Sequence, residues 1–302
     1  MRLAPSRAAI SGAGLLRLAI SCAALLAAPL SAAADDKPHD VSRIVSIGGD
    51  VTEVLYALGM AANVVAVDTT SEHPREALSE KNSIGYMRAL SSEGVLSMSP
   101  SIIIASAGAG PPEVVAALKA SKVPYVEVKC EDSPEGVVKK VKLIAGIVGA
   151  TDKADALAAG IEADFKALAD ERSKIAKPAR VLYIIAIQNG RAIVGGKHTG
   201  ADAIIGLAGA ENAAAGIDGF KPLSDEAALA MAPDVIVTMP GREGDRKAEI
   251  AAMPGLSATP AAKAGRILEL GGSYLLQFGP RAAVAARELM QAFATDAATG
   301  KK

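Results

Sequence analysis

Leu90-Ser91-Ser92-Glu93-Gly94-Val95-Leu96-Ser97-Met98-Ser99-Pro100-Ser101-Ile102-Ile103-Ile104 can be laid on Leu223-Ser224-Asp225-Glu226-Ala227-Ala228-Leu229-Ala230-Met231-Ala232-Pro233-Asp234-Val235-Ile236-Val237. Leu, Ser, Glu, Leu, Met and Pro coincide, and β-branched residues close both copies. Each copy reads as a capped short helix, a proline turn and a strand, and the Ser224/Glu226 spacing is close to a capping arrangement. Upstream helix starts correspond as well: Thr52-Glu53 before Leu58-Gly59, and Thr199 to Asp202 before Leu207-Ala208-Gly209. The chain therefore reads as a duplication.

Short β-branched runs alternate with helical stretches outward from the repeat. Arg43–Ile47, Val64–Val67, Ile102–Ile104, Tyr125–Val128, Val181–Ile185, Val235–Val237 and Ile267–Leu270 read as strands, and Thr52–Leu58 and Pro280–Phe293 as helices. Strand, helix, strand in that order builds parallel sheets. Between the copies, Glu135 to about Ile175 holds no proline. Val138, Val141, Ile144 and Ile147, then Ala154, Leu157, Ile161, Phe165 and Leu168, recur at helical spacing. Gly149-Ala150-Thr151-Asp152 is a candidate break, with Thr151 capping the next piece. The expected fold is α/β: two similar lobes with mostly parallel sheets, joined by one long linking helix, with a ligand cleft between them.

The first residues read as an export signal. Arg2, Arg7 and Arg17 are basic, the run from Leu15 to Leu30 is mostly apolar, and Ser31-Ala32-Ala33-Ala34 supplies a small-residue cleavage site. Cys22 lies inside the run with apolar residues beyond it, so a cleaved, unlipidated signal is expected, cut near Ala34. The resulting division is a signal over 1–34, an N-terminal lobe over 35–135, a linking helical segment over 136–176 and a C-terminal lobe over 177–302. Cleavage leaves Cys130 as the one cysteine, a small hydrophobe near a strand end, and no internal disulfide can form.

Composition narrows the function. The full chain has a net charge of −1, and the signal removes only arginines from it, so nothing points to nucleic acid. His39, His73 and His198 are isolated, without the spacing of a structural zinc site. No nucleophile elbow and no phosphate loop occurs, and Gly195-Gly196-Lys197-His198-Thr199-Gly200 reads as a turn that caps the helix from Thr199. These features favour a binding protein over an enzyme.

Gly85-Tyr86-Met87-Arg88-Ala89-Leu90 precedes the first repeat copy. In an extended segment residues two apart share a side, so Arg88 is expected beside the Tyr86 phenol. A guanidinium there favours the phenolate, a hard oxygen ligand suited to ferric iron; a surface tyrosine near an arginine is the commonplace alternative. Gly219-Phe220-Lys221-Pro222-Leu223 occupies the matching place in the second copy. A phenol facing an apolar ring suits a flat ligand with one axial bond and one packed face.

At these residues the sequence resembles the periplasmic haem-binding proteins of bacterial ABC-type haem importers, a helix-linked two-lobed class shared with vitamin B12 and ferric-siderophore binders. The resemblance runs through Asp68-Thr69-Thr70-Ser71, Gly85–Ser91 with Glu93–Ser97, Gly108–Pro112, Phe220–Ser224 and Leu275–Arg281. It implies that Tyr86 is the axial ligand to haem iron and that Arg88 hydrogen-bonds its oxygen. It also implies that Glu93 and Glu226, one per lobe, dock into basic pockets of a permease dimer in the inner membrane. Further residues expected at the haem are Phe220, His198 as a second ligand, Tyr274 at the cleft mouth and Arg242 at a propionate. His73 stands before Pro74, where the resemblance leads one to expect an aromatic residue. The implied protein is a periplasmic monomer that carries haem as cargo, with an outer-membrane haem receptor system as the upstream partner that the resemblance suggests. Ferric siderophores, corrinoids and an exported haem-modifying enzyme are the alternative readings.

Overall fold

The computed structural model describes residues 39–240 and 245–299, with side chains to residue 294; the signal segment, Cys22 and Arg242 lie outside the described residues. The described residues form one compact unit built on two sheets. The first half runs β1 (Ile44–Ile47), α1 (Gly49–Ala57), β2 (Val64–Val67), α2 (Arg75–Glu80), β3 (Asn82–Ser83), α3 (Ser92–Leu96), β4 (Ile102–Ser106), α4 (Pro112–Lys119) and β5 (Tyr125–Val128). Its strands are all parallel, in the order β3-β2-β1-β4-β5. Helices cover both faces, which is why Ile44 to Ile47 is buried at every position instead of alternating. One face packs on Val51, Val54, Leu55 and Leu58 of α1, and the other on Val95 of α3 and Leu118 of α4. The chain winds one way from β1 to β3 and the other way through β4 and β5. The loops leaving the carboxyl ends therefore open a crevice at the β1/β4 switch point.

The expected single linking helix is two helices, α5 (Pro134–Val148) and α6 (Thr151–Arg172). Gly149 ends α5 in the left-handed region at φ 69° and turns the chain back, so that Pro134–Leu143 faces Glu162–Ala169 in an antiparallel hairpin. Ala150, not Thr151, is the N-cap of α6, and no side chain caps it. Helix α5 packs on α1 and β5. The second half continues with β6 (Arg180–Gln188), β7 (Arg191–Gly195), α7 (Gly200–Leu207), β8 (Glu211–Asn212), β9 (Phe220–Pro222), α8 (Asp225–Met231), β10 (Val235–Thr238), α9 (Arg246–Ala252), α10 (Pro254–Ser257), α11 (Pro260–Lys263), β11 (Ile267–Glu269), α12 (Gly272–Leu276) and α13 (Ala282–Thr299). Helix α6 packs on α7 and α13. Pro280 lies two residues before α13 rather than in its first turn.

The second sheet has the order β11-β10-β6-β7-β9, with β8 paired to β6. It is mixed: β6 is parallel to β10, while β7 is antiparallel to both β6 and β9. Asn189 and Gly190, at φ 50° and 72°, make the tight turn between β6 and β7. One hydrophobic cluster runs from Ile44 and Ile104 through Val141, Ile144, Ile161 and Phe165 to Val181, Tyr183 and Val237, so both sheets and the hairpin share a core. At about 1.5–3 kcal/mol for each large aliphatic side chain buried, this continuity holds the hairpin against both lobes. Among the described residues no helix is long and apolar enough to cross a membrane.

Candidate functional site

The loops at the carboxyl edge of the first sheet bring the Tyr86 segment into position. The Thr69 amide donates to the Gly85 carbonyl at 2.9 Å, and the Gly110 amide to the Met87 carbonyl at 2.8 Å. Gly85 takes φ 86°, a conformation that its place in the turn requires, and its repeat equivalent Gly219 takes φ 70°. Met87 points inward and is buried; Tyr86 is 40% exposed. The segment is not extended as expected, because the Ala89 amide closes a turn on the Tyr86 carbonyl at 2.8 Å. The alternation that was to set Arg88 beside the phenol is lost, and the two side chains make no hydrogen bond among the described residues. Arg88 is exposed in the same turn.

A polar cavity of about 320 Å³ lies between the halves of the molecule. It is lined by Asp50, Glu53, His73, Tyr274, Gln277 and Arg281, among others. Two ion pairs bracket it. Lys140 Nζ is 2.5 Å from Asp50 Oδ2 and donates to the carbonyls of Gln277 and Phe278, each at 3.1 Å. Arg281 grips Glu53 with Nε on Oε1 at 3.0 Å and Nη2 on Oε2 at 3.2 Å, and its guanidinium lies 4.7 Å from the centre of the Tyr274 ring. Burial first, with the Glu288 charge in addition, pushes the Tyr274 phenol up to about 12. Gly49 begins α1 where a Cβ would collide with Gln277 and the Thr70 carbonyl, so only glycine admits this approach.

Of the other expected haem residues, Tyr274 lines this cavity and Phe220, His198 and Tyr86 do not. Phe220 is half-buried in β9, with its ring against Gly195 and the shared core. His198 is exposed at φ 62° with Nδ1 3.0 Å from Asp218 Oδ1, an arrangement that engages one ring nitrogen outside the cavity. His73 is exposed on the cavity rim. Cys130 is half-buried against the core, and burial raises its thiol. Glu93 and Glu226 stand at equivalent places in the first turns of α3 and α8. Ser91 accepts from the Gly94 amide at 3.1 Å and Ser224 from the Ala227 amide at 3.2 Å. The serines do the capping, so both glutamates are exposed and unpartnered among the described residues. No cluster of three or more His, Cys, Asp or Glu that could hold a bare metal ion occurs among the described residues.

Sequence reasoning missed Asp50, Glu53, Lys140 and the role of Arg281. Lys140 had a signal: it falls on the apolar stripe of Val137, Val141 and Ile144, where a lysine must find a buried partner. The partner itself is 90 residues away and leaves no local trace.

A family model described as periplasmic binding protein matches residues 44–274. The periplasmic heme-binding protein RhuT from Roseiflexus sp. RS-1, solved in apo form, is 37% identical to this chain with a TM-score of 0.80, covering 85% of this chain and 99% of that one. The uncharacterized ABC transporter substrate-binding lipoprotein YvrC of Bacillus subtilis is 28% identical over 84% of this chain and 80% of its own. The vitamin B12-binding protein of Vibrio cholerae is 33% identical over 100 residues, 33% of this chain and 35% of that one.

Proposed function

From the premise that this chain belongs to the periplasmic binding protein family, we propose that it binds haem outside the cytoplasm and hands it to an ABC permease of the inner membrane. The observation that carries the reading is Tyr86, an exposed phenol held at the carboxyl edge of a doubly wound sheet, where such folds bind their ligands. The heme-binding relative that aligns over almost its whole length supports it. The match to a B12 binder over a third of the chain gives a corrinoid the second place.

In this reading the Tyr86 oxygen takes the ferric iron, and no bond in the porphyrin is made or broken. Arg88, in the same turn, supplies positive charge beside the anionic ligand when the cleft is filled. Tyr274 is kept a phenol by its surroundings and lines the cavity wall, while Phe220 offers an apolar ring from the second half. His198, tied to Asp218, is left out of the iron site. The lobes divide near residues 135 and 177. Glu93 and Glu226 are the two acids of a pseudo-two-fold carrier that meets a two-fold permease. The chain works as a monomer and is released by cleavage of its signal near Ala34.

Titrating the protein with haemin beside Tyr86→Phe, and recording absorption spectra, tests the reading. A saturable Soret change with a tyrosinate-to-iron charge-transfer band, lost in the variant, is the expected result. No saturable change in the wild type sinks haem and sends the search to corrinoids. Binding unchanged in Tyr86→Phe removes Tyr86 as the ligand.

A further inference from the structure

Asp68 follows β2 and is completely buried, yet no cation pairs with it among the described residues. Four donors satisfy it. Oδ1 accepts from the Gly48 amide at 2.7 Å and the Ser71 hydroxyl at 3.1 Å. Oδ2 accepts from the Thr70 amide at 2.8 Å and the Thr70 hydroxyl at 2.6 Å. A row of buried hydroxyls extends the set: Ser71 lies 2.7 Å from Thr52, and Thr52 lies 2.7 Å from Ser46. A carboxylate buried without a counter-charge is expensive unless every lone pair is met, so a site this fully furnished with donors holds its loops in one arrangement.

Those loops form the floor of the Tyr86 turn. Gly48 is the junction of β1 and α1, and its amide is fixed by Asp68. The Thr70 oxygen lies 3.8 Å from the Met87 sulfur, and Met87 is the buried residue between Tyr86 and Arg88. The neighbouring Thr69 amide holds the Gly85 carbonyl, and the Ile84 amide reaches the Val67 carbonyl at 3.0 Å. We propose that Asp68, acting through Thr70 and Met87, is a positioning residue that fixes the direction of the Tyr86 phenol; the inference rests on the reading of Tyr86 as the iron ligand. An asparagine at this site would keep one acceptor and turn an NH₂ group against donors, losing half the set.

Asp68→Asn and Thr70→Val are compared with Thr70→Ser and Tyr86→Phe in the haem-loaded protein. The charge-transfer band, the rate of haem loss to apomyoglobin and thermal unfolding are read for each. The expected result is a shifted or broadened band and roughly tenfold faster haem loss in Asp68→Asn and Thr70→Val, the scale on which outer partners of an iron ligand act, with both restored in Thr70→Ser. Lower melting temperatures with the band and the rate of the wild type would make Asp68 a scaffold residue only and overturn the proposal. If Asp68→Asn does not fold, Thr70→Val decides the matter, because it keeps the shape and removes one hydroxyl. Failure of this inference leaves the effect of Tyr86→Phe intact, whereas a silent Tyr86→Phe brings down the ligand reading itself.

Discussion

Four of the five tyrosines, Tyr56, Tyr125, Tyr183 and Tyr274, sit where burial raises the phenol, Tyr125 and Tyr274 to about 12. Tyr86 is the one that counts among the exposed large side chains. Between pH 10 and pH 12 the unfolded chain releases phenolic protons that the folded chain retains. The unfolded state then binds fewer protons, so stability falls as pH rises through that window and is fully present below it. Denaturant melts across the window are expected to show a falling midpoint, and the double variant Tyr125→Phe/Tyr274→Phe is expected to fall less steeply; parallel curves would refute the assignment. Its glycine neighbour and its place before the repeat marked Tyr86 as a candidate, and only the resemblance gave it a ligand's role over that of a surface tyrosine. Its orientation was not legible, because a turn closed by the Ala89 amide and a strand carry the same residues equally well.

At the scale of elements, the repeat was the legible part. Leu90 to Ile104 and Leu223 to Val237 fold as the same capped helix and strand, down to serine caps and the matched left-handed residues Ser99 and Ala232. The hairpin of α5 and α6 was half legible: the break at Gly149 was in view, but a break in periodicity does not say whether the chain bends or reverses. Asn189-Gly190, a strong hairpin signal, would have foretold the antiparallel β6–β7 pair that makes the second sheet mixed. Helices α5 and α8 both end in a left-handed residue, Gly149 at φ 69° and Ala232 at φ 42°. A Cβ on Gly149 would meet nothing within 4 Å, so Gly149→Ala is expected to lose about 1 kcal/mol through backbone strain alone. Ala232→Gly should gain several tenths of a kcal/mol for the same reason, and thermal melts that move both variants in one direction would contradict it.

The whole molecule raises the question of whether the two halves close on a ligand. A shared core and two ion pairs argue that they move little. Lys140 and Asp50 are 6% and 2% exposed, and the lysine also holds two carbonyls ahead of α13, so the first half, the hairpin and the second half meet at one ammonium group. Removing only the lysine strands a buried carboxylate, an effect that outweighs the small value of a surface pair and does not fade with added salt. Lys140→Met is therefore expected to lose about 3–5 kcal/mol, and Asp50→Asn/Lys140→Met to regain part of it. Small-angle scattering should give one radius of gyration for the wild type with and without haemin, and a ligand-dependent one for Lys140→Met. A wild type that contracts on loading would show that the pairs break in each cycle of binding, in which case Arg281 and Glu53, with 35% and 11% of their side chains exposed, are the first contacts to part. A wild type that stays fixed places the whole burden of release on the docked permease. On the proposed docking role of Glu93 and Glu226, the force would then enter through these two acids, exposed and unpartnered among the described residues, one in each half of the molecule.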